Sequence, residues 1–335
     1  MNINFYYDKK HIDYTSGYIF KGKNYRCSYV RYKSLYRNCA PGTENVEFYF
    51  YQPKGEIRAS TMVLHGLGSR NIKFLLWLGP HLANAGVNTS ILILPGNYTR
   101  VENRSVSGRS YLYPDINTMY QFWEHGVVDT LTTIDLLEQQ NYWNKNNIIV
   151  GYCLGGMISS IVGVIENRIN HLLFMTTGGH IPRILHQSPA TAFARRLFNK
   201  GLGTDFYLKD EYTLYKIYDE QFPMVKNMNF DEIISNNEIH PLFKIDPISY
   251  AHLLDKEKVT FIDAYFDSTL PIQSRKILYE EMKDANRKIL PISHVNWLPF
   301  EYLLAKYILH KLNINEKVAK KALLTRETIE NPLEK

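Results

Sequence analysis

Cys153 stands in the string Gly151, Tyr152, Cys153, Leu154, Gly155 and Gly156, after an apolar run at 147–150 and before a helix-like stretch opened by Met157. A strand, a sharp turn and a helix around a glycine, nucleophile, glycine spacing is the setting in which a reactive side chain is presented at a sheet edge. Here the nucleophile is a thiol. Gly151 and Gly155 permit a close strand-to-helix approach, and the turn strains the residue between them into an exposed position. The helix start adds a positive dipole end and free N–H groups, which favour a thiolate and a developing oxyanion.

A thiol nucleophile needs a base and a group that orients the base. Asp267 follows a strand-like run at 259–266 and opens a turn that ends at Pro271, and His294 follows the next run at 287–290. His294 is expected to accept the thiol proton and later activate water. Asp267 is expected to fix the imidazole tautomer and stabilise its protonated form. Asp263 competes for the acid role, but the turn places Asp267 beyond the strand end; residues 177–180, after the preceding strand, contain no carboxylate. The N–H groups of Leu154 and Leu67 are expected to form an oxyanion hole, since His65, Gly66 and Leu67 end an earlier strand. His65 shapes that loop. Asp129 and Asp246 read as capping or packing groups. Arg70, Arg104 and Arg109 offer a hold for a substrate carboxylate, although most arginines are simply solvated.

These residues require a scaffold that delivers strand ends to one edge. Strand-like runs occur at 27–33, 46–51, 60–64, 90–94, 147–150, 171–177, 259–266 and 287–290, with helical patterns near 74–85, 119–140, 157–165, 272–285 and 299–312. This alternation implies an α/β fold, a mostly parallel sheet with helices on both faces. Residues 95–117 read as a long surface loop. The rhythm breaks at 181–258, which reads as a helical cap inserted above the carboxyl edge. Its Phe193, Leu197, Phe206 and Tyr207 fit either an acyl pocket or the cap's own core. The expected organisation is therefore an N-terminal extension with the first part of the core over 1–182, a cap over 183–257, the rest of the core over 258–313, and a charged tail over 314–335.

Composition narrows the classes. With 335 residues, 45% of them hydrophobic, the chain can bury a large core. The net charge of +6 comes from 39 basic and 33 acidic residues spread along the chain, a pattern that does not point to nucleic acid. Three cysteines give neither a disulfide framework nor a zinc spacing, so no metal is expected. The N-terminus lacks a secretory apolar region, and no apolar run approaches a bilayer span, which makes a cytoplasmic location the expectation. No cofactor is implied, and the sequence leaves a homodimer open.

The order nucleophile, acid, histidine resembles that of the α/β-hydrolases over roughly residues 45–312, less the cap. The elbow string is similar to that of dienelactone hydrolases, whose Cys-His-Asp triad opens a lactone ester; the resemblance implies Cys153, His294 and Asp267 in those roles. Those enzymes carry an acidic residue near the end of the oxyanion strand, where this chain has His65, Gly66 and Leu67, closer to ordinary esterases and acyl hydrolases. Polyhydroxyalkanoate synthases share the Gly-X-Cys-X-Gly-Gly elbow and transfer hydroxyacyl groups from coenzyme A thioesters. The His-Gly loop, and Pro95, Gly96 and Asn97 in place of an Asp-Trp pair, separate this chain from them. The resemblance thus implies a hydrolase for a small carboxylic ester, lactone or thioester. The alternatives are a synthase-like acyltransferase and a non-catalytic binding protein on the same scaffold.

Overall fold

Alternating polar and aromatic residues open the sheet. The computed structural model describes residues 2–68, 72–103, 105–297 and 301–314. In it β1 (Tyr14–Lys21), β2 (Tyr25–Lys33) and β3 (Asn45–Pro53) form an antiparallel meander. β1 is absent from the strands expected above. Its side chains are mostly exposed, so it offers no apolar stripe to read, and backbone pairing with β2 defines it.

From β4 (Ala59–Leu64) onward the strands are buried on both faces, as parallel strands between helices must be, except the largely exposed edge strand Asn286–Leu290. The short helices α1 (Lys73–Leu76) and α2 (Leu78–Asn84) replace the single helix expected there and lead to β5 (Val87–Ile93). The connection after β5 is not the exposed loop expected: Asn97, Arg100, Tyr111 and Leu112 are buried. Burial of a guanidinium requires partners, and Arg100 pairs with Asp129 at 2.5 Å and donates to the carbonyls of Ile93 and Thr43. Helix α3 (Ile116–Gln139) is capped by Asp115, whose carboxylate accepts from the Thr118 N–H at 2.8 Å. β6 (Asn147–Tyr152), α4 (Leu154–Ile165) and β7 (His171–Met175) follow, with α4 buried at every residue from Leu154 to Val162.

The chain then leaves the sheet through α5 (Ile181–Gln187), α6 (Ala192–Phe198), α7 (Glu211–Val225), α8 (Phe230–Ser235) and α9 (Pro247–Tyr250), and returns at β8 (Val259–Ala264). One carboxylate joins the two ends of this segment. Asp246 accepts from the N–H groups of His180 (2.8 Å) and Ile181 (2.5 Å) at the start and of Ile248 (3.2 Å) at the end. The Tyr218 hydroxyl also donates to it at 3.1 Å. Helix α10 (Ile272–Glu281), β9 (Asn286–Leu290) and α11 (Glu301–Lys311) complete the described chain, so residues 315–335 of the expected tail lie outside it.

Across the described residues the strand order is β1-β2-β3-β5-β4-β6-β7-β8-β9. The pairings β5–β4, β4–β6, β6–β7, β7–β8 and β8–β9 are parallel, and the other three are antiparallel. The sheet is mixed, with helices on both faces. Its parallel part brings the carboxyl ends of β4, β6, β8 and β9 to one edge.

Candidate active site

The turn between β6 and α4 sets Cys153 at φ 52° and ψ −113°, a conformation that costs an L-residue energy and persists only where its surroundings enforce it. They do so by proximity. A Cβ on Gly155 would lie 2.1 Å from the Leu64 carbonyl oxygen, and one on Gly151 would lie 2.6 Å from the Gly155 oxygen. The Cys153 N–H donates to the Met175 carbonyl at 2.9 Å, fixing the elbow to β7. Cys153 is 6% exposed.

His294, on the connection after β9, is 5% exposed. Its Nδ1 lies 2.9 Å from Asp267 Oδ2, and the residue shares a cavity wall with Cys153. The other Asp267 oxygen accepts from the N–H groups of Thr269 and Leu270 at 2.8 and 3.0 Å. Burial disfavours the charged carboxylate, yet the His294 contact and these N–H groups hold it below the usual range. Burial likewise opposes a charged His294. The neighbouring Cys153 and the Asp267 hydrogen bond outweigh it and raise the imidazole to about 10. Asp263 points elsewhere: it is buried on β8 and bonded at 2.6 Å to Arg287.

Two residues without an assigned role in the sequence reading hold the histidine. The Tyr152 hydroxyl donates to the His294 carbonyl at 2.7 Å, and the Trp297 indole N–H donates to the same oxygen at 3.1 Å. The Tyr152 ring also leans against the imidazole, with centroids 5.2 Å apart. Arg275, buried on α10, brings its Nε to 3.8 Å from Asp267 Oδ2. Proximity in the string marks Tyr152; nothing local marks Arg275.

The loop after β4 lies against the elbow, for a Cβ on Gly66 would meet Cys153 Cβ at 3.0 Å. His65 is fully buried. Its Nδ1 donates to the Gly66 carbonyl at 2.5 Å and its Nε2 accepts from the Leu94 N–H at 3.0 Å, so it ties the ends of β4 and β5 together. Leu67 and Leu154 both line a cavity of about 450 Å³ that also contains Cys153 and His294. Among the candidate arginines, Arg109 lines a different groove with Glu102 and Leu197; Arg70 and Arg104 lie outside the described residues. Phe193, Leu197, Phe206 and Tyr207 do not line the Cys153 cavity; the inserted segment contributes Ile184, Ser188 and Ala190 to it instead. Among the described residues no group of three His, Cys, Asp or Glu could hold a metal ion, and no helix is long and apolar enough to cross a membrane.

No family model and no curated protein matches the chain. Solved structures match it in shape. The acetyl xylan esterase from Paenibacillus sp. R4 aligns with a TM-score of 0.61 at 15% identity, covering 90% of this chain and 89% of that one. Acetyl xylan esterase 1 from Thermoanaerobacterium sp. JW/SL YS485 gives 0.58 at 14% identity, over 90% and 89%. An S-formylglutathione hydrolase from Agrobacterium tumefaciens gives 0.58 at 12%, over 91% and 99%. The fold is that of the α/β-hydrolases. Within this α/β-hydrolase sheet, Cys153 directly follows β6, His65 directly follows β4, the turn after β8 carries Asp267, and the connection after β9 carries His294. All four strands run in parallel, so the four side chains belong to one edge.

Proposed function

We propose that this chain is a hydrolase that cleaves a small carboxylic ester, lactone or thioester through an acyl-cysteine intermediate, with Cys153 as nucleophile, His294 as acid and base, and Asp267 as its orienting carboxylate. The observation that carries this reading is the 2.9 Å contact between His294 Nδ1 and Asp267 Oδ2, made by a histidine that shares one cavity wall with Cys153. An imidazole raised to about 10 beside Cys153 and Asp267 is suited to hold the proton that the attacking thiol gives up. The thiolate attacks the acyl carbon, and the N–H groups of Leu154 and Leu67 receive the charge that develops on the oxygen. Collapse of the adduct breaks the bond to the leaving group, which takes the proton from His294 Nε2.

The acylated sulfur no longer bears a charge. The main influence that raised His294 is then gone, while burial still favours the neutral ring. The imidazole is thus left as a base able to take a proton from water, whose hydroxide equivalent attacks the thioester and releases the acid. Asp267 keeps the Nδ1–H tautomer throughout, so that Nε2 faces the reaction.

A hydrolysis screen over aryl esters, lactones and acyl-coenzyme A thioesters tests the reading. Turnover that disappears in Cys153→Ala, with a mass increment of one acyl group trapped on Cys153 in His294→Ala, supports it. Undiminished turnover in Cys153→Ala rejects it.

A further inference from the structure

The wall of the Cys153 cavity is chemically one-sided. Leu112, Leu154, Met157, Ile184 and Leu270 line it, each almost fully buried, and Val295 stands at its exposed rim. Among the described lining residues there is no Asp, Glu, Lys or Arg, and the reactive polar pair is Cys153 and His294. Of the remaining polar side chains, Ser188 and Tyr152 are engaged by the protein itself, which leaves the half-buried Thr269 hydroxyl beside them. The Ser188 hydroxyl donates to the Thr269 carbonyl at 2.6 Å and accepts from the Ala190 N–H at 3.1 Å, and the Tyr152 hydroxyl is bonded to the His294 carbonyl. A sugar ring or carboxylate entering this space would exchange water for hydrocarbon with few partners, which is unfavourable for polar groups and more so for ions.

Building on the proposed ester chemistry, we infer that the substrate places an uncharged, apolar hydrocarbon group in this cavity, and that Ile184, from the inserted segment, limits its length. A volume of about 450 Å³ lies in the lower part of the range of small-molecule sites, roughly 300–1,000 Å³. The occupant is therefore a single chain or ring and not a polymer segment. The hydrocarbon belongs either to the acyl group or to the alcohol, and the cavity chemistry is the same for both.

Two ester series separate these sources. One keeps a nitrophenol leaving group and lengthens the acyl chain from acetyl to decanoyl. The other keeps acetyl and lengthens the n-alkanol. In one series kcat/KM should rise roughly two- to fourfold per methylene before a limit, and a terminal carboxylate on the same chain should lower it on the order of 100-fold. Ile184→Trp should shift the limit to shorter chains. Cys153-dependent turnover that is flat in both series, or highest for acetylated sugars or carboxylate-bearing esters, overturns the apolar assignment and leaves the triad standing. Turnover of no ester, or turnover that survives Cys153→Ala, removes the triad and the assignment together.

Discussion

The carboxamide oxygen of Asn97 accepts a 2.7 Å hydrogen bond from the Gly68 N–H, while its Nδ2 donates to the Pro95 carbonyl at 3.0 Å. A fully buried side chain after β5 therefore fixes the loop that carries Leu67. If Leu67 supplies an oxyanion donor, Asn97 acts by positioning it. Asn97→Ala should lower kcat by roughly 10- to 100-fold with KM little changed, because a displaced donor acts chiefly on the transition state. Asn97→Asp keeps an acceptor for Gly68 and should recover part of the loss. Equal falls in both variants, matched by equal falls in Tm, would mark the residue as structural only.

Cys153 should react with iodoacetamide near neutral pH before Cys27 and Cys39. Burial pushes the Cys27 thiol up to about 12, and burial also pushes Cys39 up, so neither supplies thiolate at that pH. Peptide mapping after partial labelling reads the order directly. Labelling of Cys153 should track loss of turnover one for one; turnover that persists after full labelling would contradict its assigned role.

Asp267→Asn should depress turnover by roughly 10²- to 10⁴-fold, since the imidazole loses the charge that fixes its tautomer. Asp263→Asn should spare catalysis comparatively and lower stability instead, because it leaves the partly buried Arg287 without its ion pair. Steady-state kinetics and thermal melts on the two variants distinguish these outcomes. The reverse ranking would move the acid from the turn to the strand.

Stability should fall in mild acid. Burial pushes His65 down to about 4 and His180 likewise to about 4. Both rings bind fewer protons folded than unfolded between about 4 and 6.5, so the stability they contribute is complete above about 6.5 and is lost as pH falls. Asp246 acts in the opposite sense, since burial raises it to about 6. Two losses thus outweigh one gain. His65→Gln should reduce the slope of unfolding free energy by about 1.4 kcal/mol per pH unit in that window, measured by denaturant titration. An unchanged slope would exclude His65 as a source.

The apolar runs of β4 to β8 were legible because burial on both faces leaves nearly continuous aliphatic sequence. β1 was not, since an exposed edge strand held by backbone pairing has no required residue pattern. The stretch after β5 misled for a different reason. Its Asn, Ser and Arg residues look solvated in isolation, and only distant partners, Asp129 for Arg100 and Gly68 for Asn97, explain their burial. At the candidate site, the proximity of Cys153, Asp267 and His294 was legible because each follows a strand in a fixed chain order. Tyr152 and Trp297 touch the His294 carbonyl and Arg275 lies beside the Asp267 carboxylate, relations that exist only after folding.

The meeting of residues 180–181 with residues 246–248 at Asp246 makes the intervening chain a nearly closed ring on the sheet. A ring whose ends already touch can be shortened, lengthened or exchanged with little change in loop-closure entropy. The same scaffold can therefore accept a different roof while its strand ends stay in register. Grafting at this junction offers a route to new selectivity that leaves the residues beneath it untouched.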